Sequence, residues 1–114
     1  MPKLKWTKNF STGNIADNGT WEKNYPVSED NVLRRIFVQD TSGNKLSSSL
    51  FHLEIGSDNI FADDLPTTML QPDVDYNMEI NRLVKAGETI KMILKNYEGT
   101  TKACYVTLVF DYPE

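Results

Sequence analysis

Apolar side chains recur at every second position along most of this chain and almost nowhere at the 3.6-residue period of a helix. The clearest run is near the C-terminus, in "KACYVTLVF", where Cys104, Val106, Leu108 and Phe110 alternate with Tyr105, Thr107 and Val109. Successive strand side chains point to opposite faces, so this run is a strand, and apolar residues on both faces make it a central one. In "ETIKMILKN", Ile90, Met92 and Leu94 alternate with Lys91, Ile93 and Lys95, which predicts a strand with one mostly wet face. Between the two, "NYEGTT" supplies Asn96 and Gly99, residues that tolerate positive φ, so the pair reads as a hairpin.

Upstream, "NVLRRIFVQD" predicts a strand over about residues 32–40, and "SLFHLEIG" another with Phe51, Leu53 and Ile55 on one face. "TSGNKLSSS" between them is a flexible surface connection. "YNMEINRLV" offers Met78 and Ile80 in alternation, and "KAGE" is a turn. "DDLPTTML" suits a single helical turn, because Pro66 and the aspartates favour a helix start. About seven or eight strands at these spacings predict an all-β fold: a two-layer antiparallel β-sandwich, jelly-roll-like. No internal repeat or low-complexity tract is read along the chain.

The 114 residues are one domain's worth of chain, enough to bury a core without obligatory staples. Residues 31–114 read as a single β-sandwich domain. Residues 1–30 read as an N-terminal segment in which Trp6, Phe10, Ile15, Trp21 and Tyr25 stand among Asn, Gly, Thr and Ser. That mixture suits short strands, or an extended arm whose aromatics dock on a partner. Sixteen acids against twelve bases give a net charge of −4, which argues against a nucleic-acid coat because phosphate neutralisation needs clustered Lys and Arg. The basic clusters, Lys3, Lys5 and Lys8 and then Arg34–Arg35, are small.

No catalytic signature stands out. There is no Gly-rich phosphate loop, no G-x-S-x-G elbow and no H-E-x-x-H. The single cysteine, Cys104, excludes an intramolecular disulfide and reads as a buried thiol; the single histidine, His52, reads as a strand-face residue. Five aspartates fall in "SDNIFADDLPTTMLQPDVDY" (Asp58, Asp63, Asp64, Asp73 and Asp75), but without the D-x-D-x-[DN]-G order of a calcium loop. Ile60, Phe61, Leu65, Met69 and Leu70 in the same stretch read as anchors that hold a long connection on the sandwich, with the aspartates facing water. No cofactor and no metal site is expected. Asn-x-Ser/Thr patterns at Asn9 and Asn18 read as loop and turn chemistry, because the N-terminus lacks an apolar leader. No stretch is apolar enough to span a membrane. Synthesis in the cytoplasm without secretion is the expectation.

From Phe51 the chain runs "FHLEIGSDNIFADDLPTTMLQPD" and then "YNMEINRLVKAGETIKMILKNYEGTTKACYVTLVFDYP". This order of strand, Leu-Pro loop, apolar strand, Gly-Glu-x-Ile turn, Asn-terminated strand and closing "YVTLVF" resembles small single-domain β-sandwich proteins in virions of bacterial viruses. These include jelly-roll minor capsid, decoration and spike-base components. The resemblance covers residues 51–112 and rests on strands and turns, so no functional residues carry over. It implies a non-enzymatic structural protein of a virus particle, made in the host cytoplasm and assembling through contacts with itself and other virion proteins. Trp6, Phe10, Trp21, Tyr25 and Phe61 are the expected contact residues. The alternative is a carbohydrate-binding or receptor-binding module that stacks a glycan on Trp and Tyr side chains, with Tyr76, Tyr97, Tyr105 and Tyr112 as further candidates.

Overall fold

A computed structural model of the chain describes residues 5–61, 63–73, 75 and 77–113; Lys3 and Tyr76 lie outside them. The described residues form nine strands: β1 (Lys5–Ile15), β2 (Thr20–Pro26), β3 (Asn31–Asp40), β4 (Leu50–Ile55), β5 (Asp58–Asn59), β6 (Leu65–Pro66), β7 (Arg82–Val84), β8 (Thr89–Lys95) and β9 (Lys102–Asp111). The predicted helical turn is a 3₁₀ turn at Thr67–Met69, entered from Pro66.

All pairings are antiparallel, and they make two sheets, one ordered β1-β9-β3-β7 and the other β2-β8-β4-β5 with β6 also on β4. The order has a simple origin. The first half of the chain pairs with the second half in reverse, β1 with β9, β2 with β8, β3 with β7 and β4 with β5 and β6. Rolling that long ribbon adds the contacts of β9 with β3 and β8 with β4. This is the jelly roll, with β5 and β6 as two pieces of one interrupted strand. The expected two-layer antiparallel sandwich is therefore the fold.

Alternation puts the core between the layers. Phe51, Leu53 and Ile55 of β4 and Ile90, Met92 and Leu94 of β8 are fully buried. From the other sheet Leu33, Ile36 and Val38 of β3 and Val106, Leu108 and Phe110 of β9 meet them. Each such side chain contributes roughly 1.5–3 kcal/mol by leaving water. β9 is central, as its two apolar faces require.

Three local expectations need correction. β8 and β9 are not a hairpin: β8 pairs with β2 and β4, β9 with β1 and β3, and residues 96–101 cross from one sheet to the other. The buried Asn96 fixes that crossing, its amide donating to the carbonyls of Ile15, Ala16 and Thr100 at 2.9, 3.3 and 2.9 Å. Period-two alternation and a tight connection specify strands and a reversal, but not which strand each one pairs with. Next, Met78 and Ile80 lie outside any strand, with only Arg82–Val84 forming β7. Third, residues 5–15 and 20–26 are paired strands of the sandwich, one in each sheet, and not an arm over the described residues. A bulge bends β1 between Ser11 and Asn14, with Gly13 at φ +67° and the Thr12 hydroxyl accepting the Cys104 N–H at 3.0 Å in place of a ladder bond.

The sandwich has two open sides. Strands β1 and β2 border the near side, and β7 with β5 and β6 border the far side. The long connection closes the far side. The described residues between 58 and 66 run along β4, Thr67 crosses between the layers, and Leu70, Asn77, Ile80 and Arg82–Val84 lie along β3. The β3 edge is met in turn by Leu70 O from Val38 N–H, by Asn77 Nδ2 on Ile36 O, and by Ile80 N–H on Arg34 O. Phe61, Thr67 and Leu70 are buried beneath it, Ile60 and Leu65 pack partly, and Met69 is exposed, so four of the five expected anchors hold.

Candidate functional site

The near side collects the N-terminal aromatics. Trp6, Lys8 and Phe10 lie opposite the buried Phe110, Leu108 and Val106 of β9, so all three point inward. On β2, Trp21, Lys23 and Tyr25 lie opposite the buried Leu94, Met92 and Ile90 and point inward as well. Trp6 stacks on Phe110 with ring centres 4.4 Å apart, and Phe10 meets Tyr25 edge-on at 5.6 Å and Trp21 at 6.4 Å. Aromatic side chains from the two edge strands thus seal the gap between the sheets.

Two lysines lie in the middle of this seal. The Lys8 ammonium stands 5.7 Å from the Phe10 ring centre and 5.9 Å from that of Tyr25, and the Lys23 ammonium stands 5.9 Å from Phe10. Both side chains are exposed, and among the described residues neither has a carboxylate within ion-pair distance. Their stems lie along apolar surface while the charges reach water over π faces. An inward-pointing charge on an edge strand also discourages unwanted strand pairing. The two strands repeat one pattern, Trp-Thr-Lys-Asn-Phe at 6–10 and Trp-Glu-Lys-Asn-Tyr at 21–25. Five residues are too few to form a structural unit, so this repeat does not show as an internal repeat of the sequence. In the sequence Lys8 stands only as a member of a small basic cluster and Lys23 stands alone; the repeated Trp-x-Lys-Asn-aromatic is the signal that marks both.

At one end of the near side, Trp6, Tyr25 and Tyr112 line a cleft of about 220 Å³ with Ser28, Glu29 and Asn31. The Trp6 indole N–H donates to Asn31 Oδ1 at 3.0 Å, and Asn31 Nδ2 donates to the Glu29 carbonyl at 2.9 Å. Asn31 is buried, so these bonds fix the Trp6 ring, while Tyr112 is exposed at the rim.

Of the five expected contact residues, the near side brings four together. Trp6, Trp21 and Tyr25 are half-buried, and Phe10 is buried beneath them. Phe61 is buried on the far side, away from the others. Tyr97 is exposed, and Tyr105 is half-buried on β9.

The aspartates do not converge. Asp58 pairs with Arg82 at 2.6 Å, and Asp64 pairs with Lys95 at 2.6 Å and with His52 Nδ1 at 3.2 Å. The Lys95 ammonium holds the Asp64 carboxyl below the usual carboxylate range against the opposing effect of burial. Asp63, Asp73 and Asp75 are exposed and carry no ion pair among the described residues. No three His, Cys, Asp or Glu side chains among the described residues are grouped to hold a metal ion. The His52 Nε2 faces Glu54 at 3.4 Å, so both ring nitrogens meet carboxylates. Cys104 is buried, and that burial pushes its thiol up to about 11, away from reactivity. No helix among the described residues is long and apolar enough to cross a membrane. No protein-family model, curated protein or solved structure matches this chain.

Proposed function

We propose that this chain is a non-enzymatic structural subunit of a virus particle, a capsid or capsid-associated protein that works through protein–protein contact. The observation that carries the reading is the jelly-roll strand order, an architecture on which viral capsid domains are built. The link is an analogy of fold, joined by the resemblance of residues 51–112 to virion sandwiches. The side-chain chemistry is compatible with it: Asp58 and Asp64 are engaged in ion pairs with Arg82 and Lys95, and the His52 ring lies between the Glu54 and Asp64 carboxylates. The test is mass spectrometry of purified particles from the virus that encodes the chain, with antibody labelling of intact particles. A fixed copy number per particle is expected. Recovery only from the soluble lysate, with unlabelled particles, overturns the reading.

A second reading, a glycan-binding or receptor-binding module, is favoured by the cleft alone. Its walls are Trp6, Tyr25 and Tyr112, and Ser28, Glu29 and Asn31 place polar groups beside them, as a sugar ring requires. On this reading a glycan panel shifts tryptophan fluorescence, and Tyr112→Ala abolishes the shift. A flat response across the panel removes it.

A further inference from the structure

We infer that the near side of one copy docks on the far side of a second copy, with Lys8 and Lys23 facing the acidic connection of the neighbour. The inference rests on the assembly reading above and names the surfaces that assembly uses.

The middle of the near-side edge is basic, and the connection on the far side is acidic. On the near side, two ammonium groups each stand within 6 Å of the Phe10 ring centre, so they lie less than 12 Å apart. They carry like charge in a protein of net charge −4, with no carboxylate paired to either among the described residues. An anion brought to this edge relieves their repulsion. On the far side, Asp63, Asp73 and Asp75 are exposed and equally without ion pairs among the described residues. Of the basic groups on that side, Arg82 is engaged with Asp58 and Lys95 with Asp64, and Lys85 lies just beyond β7.

Apolar surface follows the same division. Met69 and Leu83, both exposed, lie on the far side, and Met69 lines a groove of about 380 Å³ with Thr68, Gln71 and Met78. The near side offers the half-buried Trp6, Trp21 and Tyr25 around its lysines. Aromatic residues and Met are what interface centres are enriched in. Complementary charge around them fixes partner and register. Because the two surfaces lie on opposite sides of one molecule, the contact is head-to-tail, and repetition gives a ring or an open row.

Sedimentation velocity of the full chain, over a range of concentrations, tests this at low salt and at about 1 M salt, where screening shortens to about 3 Å. The wild type is expected to associate at low salt and to dissociate at high salt. Lys8→Glu with Lys23→Glu should be monomeric at both, and so should Asp63→Lys with Asp75→Lys. The second pair changes only exposed side chains of the connection, so it remains informative if the first destabilises the edge. An equimolar mixture of the two double variants should associate again, because each now complements the other. Association that survives both charge reversals, or a mixture that stays monomeric, overturns this interface while leaving the assembly reading in place. A wild type that is monomeric throughout overturns self-docking, and the particle experiment above then decides the broader reading separately.

Discussion

Where β1 and β2 leave the sandwich open, side chains close the gap; where β5, β6 and β7 do, the backbone of a connection closes it. The near side joins Trp6, Phe10, Trp21 and Tyr25 to the buried Phe110, and it leaves two edge strands with lysines in their inward register. The far side lays the described residues between 58 and 84 along both sheet edges and ties them down through Leu70, Asn77 and Ile80 on β3 and Thr67 on Ser49. A ring cluster seals a gap while leaving edge strands that charge must protect. A connection covers the edges themselves and turns its polar residues to water. The aspartates are a consequence of the second arrangement and the lysines of the first.

Truncating one aromatic on each side separates the two arrangements. Phe110→Ala removes a fully buried ring that meets Trp6 and Tyr25, in a rigid central strand. The expected loss is about 3–5 kcal/mol, a large fraction of a small domain's stability, read from the midpoint of urea unfolding. Phe61→Ala removes a nearly buried ring from beneath a connection that can settle into the space, so a smaller loss, about 2–3 kcal/mol, is expected. Equal losses at the two positions would show that the connection is as rigid as the strands.

Acid should act first where the crossing between β8 and β9 meets Ser47, Ser48 and Ser49. Partial burial pushes the Glu98 carboxyl up, but hydrogen bonds from the Ser47 N–H, the Ser49 hydroxyl, the Ser48 N–H and the Ser47 hydroxyl outweigh it and bring it to about 2. Thr67, the crossing point of the connection, leans on the Ser49 carbonyl beside that network. The folded value lies below the ordinary 4.5, so the stabilisation is complete above pH 4.5 and is lost as pH falls towards 2. Allowing for solvent screening it is roughly 1–2 kcal/mol. Glu98→Gln should lose that amount at neutral pH and show a flatter stability profile between these values. A profile as steep as the wild type's would assign the acid sensitivity elsewhere.

The smallest effect belongs to the edge lysines. Lys8→Thr with Lys23→Thr should cost only about 0.5 kcal/mol for each of the two exposed lysines. At about 1 M salt, where charge-driven docking is screened in both proteins, light scattering on standing should rise above that of the wild type, because the edges lose their protection. A variant that stays clear indefinitely would mean that the bulge of β1 protects that edge by itself.

Much of this was legible in the sequence. β9 is central because Cys104, Val106, Leu108 and Phe110 are backed by Tyr105 and Val109, and alternation placed β3, β4 and β8 for the same reason. Ile60, Phe61, Leu65 and Leu70 marked the connection as anchored, and they hold it. Pairing was not legible, because alternation describes one strand's faces and says nothing of its neighbours. For that reason "NYEGTT" suggests a hairpin where Asn96 in fact secures a crossing between sheets. The near side was half legible. Its aromatics stood out, but Lys8 and Lys23 gained meaning only once β1 and β2 were seen to face each other across the gap.

On the proposed assembly, the sides of the sandwich and not its sheet faces make the contacts by which the protein works. Amide hydrogen exchange of the full chain, dilute and then assembled, tests this most directly. Added protection is expected at residues 6–10 and 21–25 and at the described residues between 63 and 75, with little change at the centres of β8 and β9. Protection gained on β8 and β9, with none at either side, would contradict it.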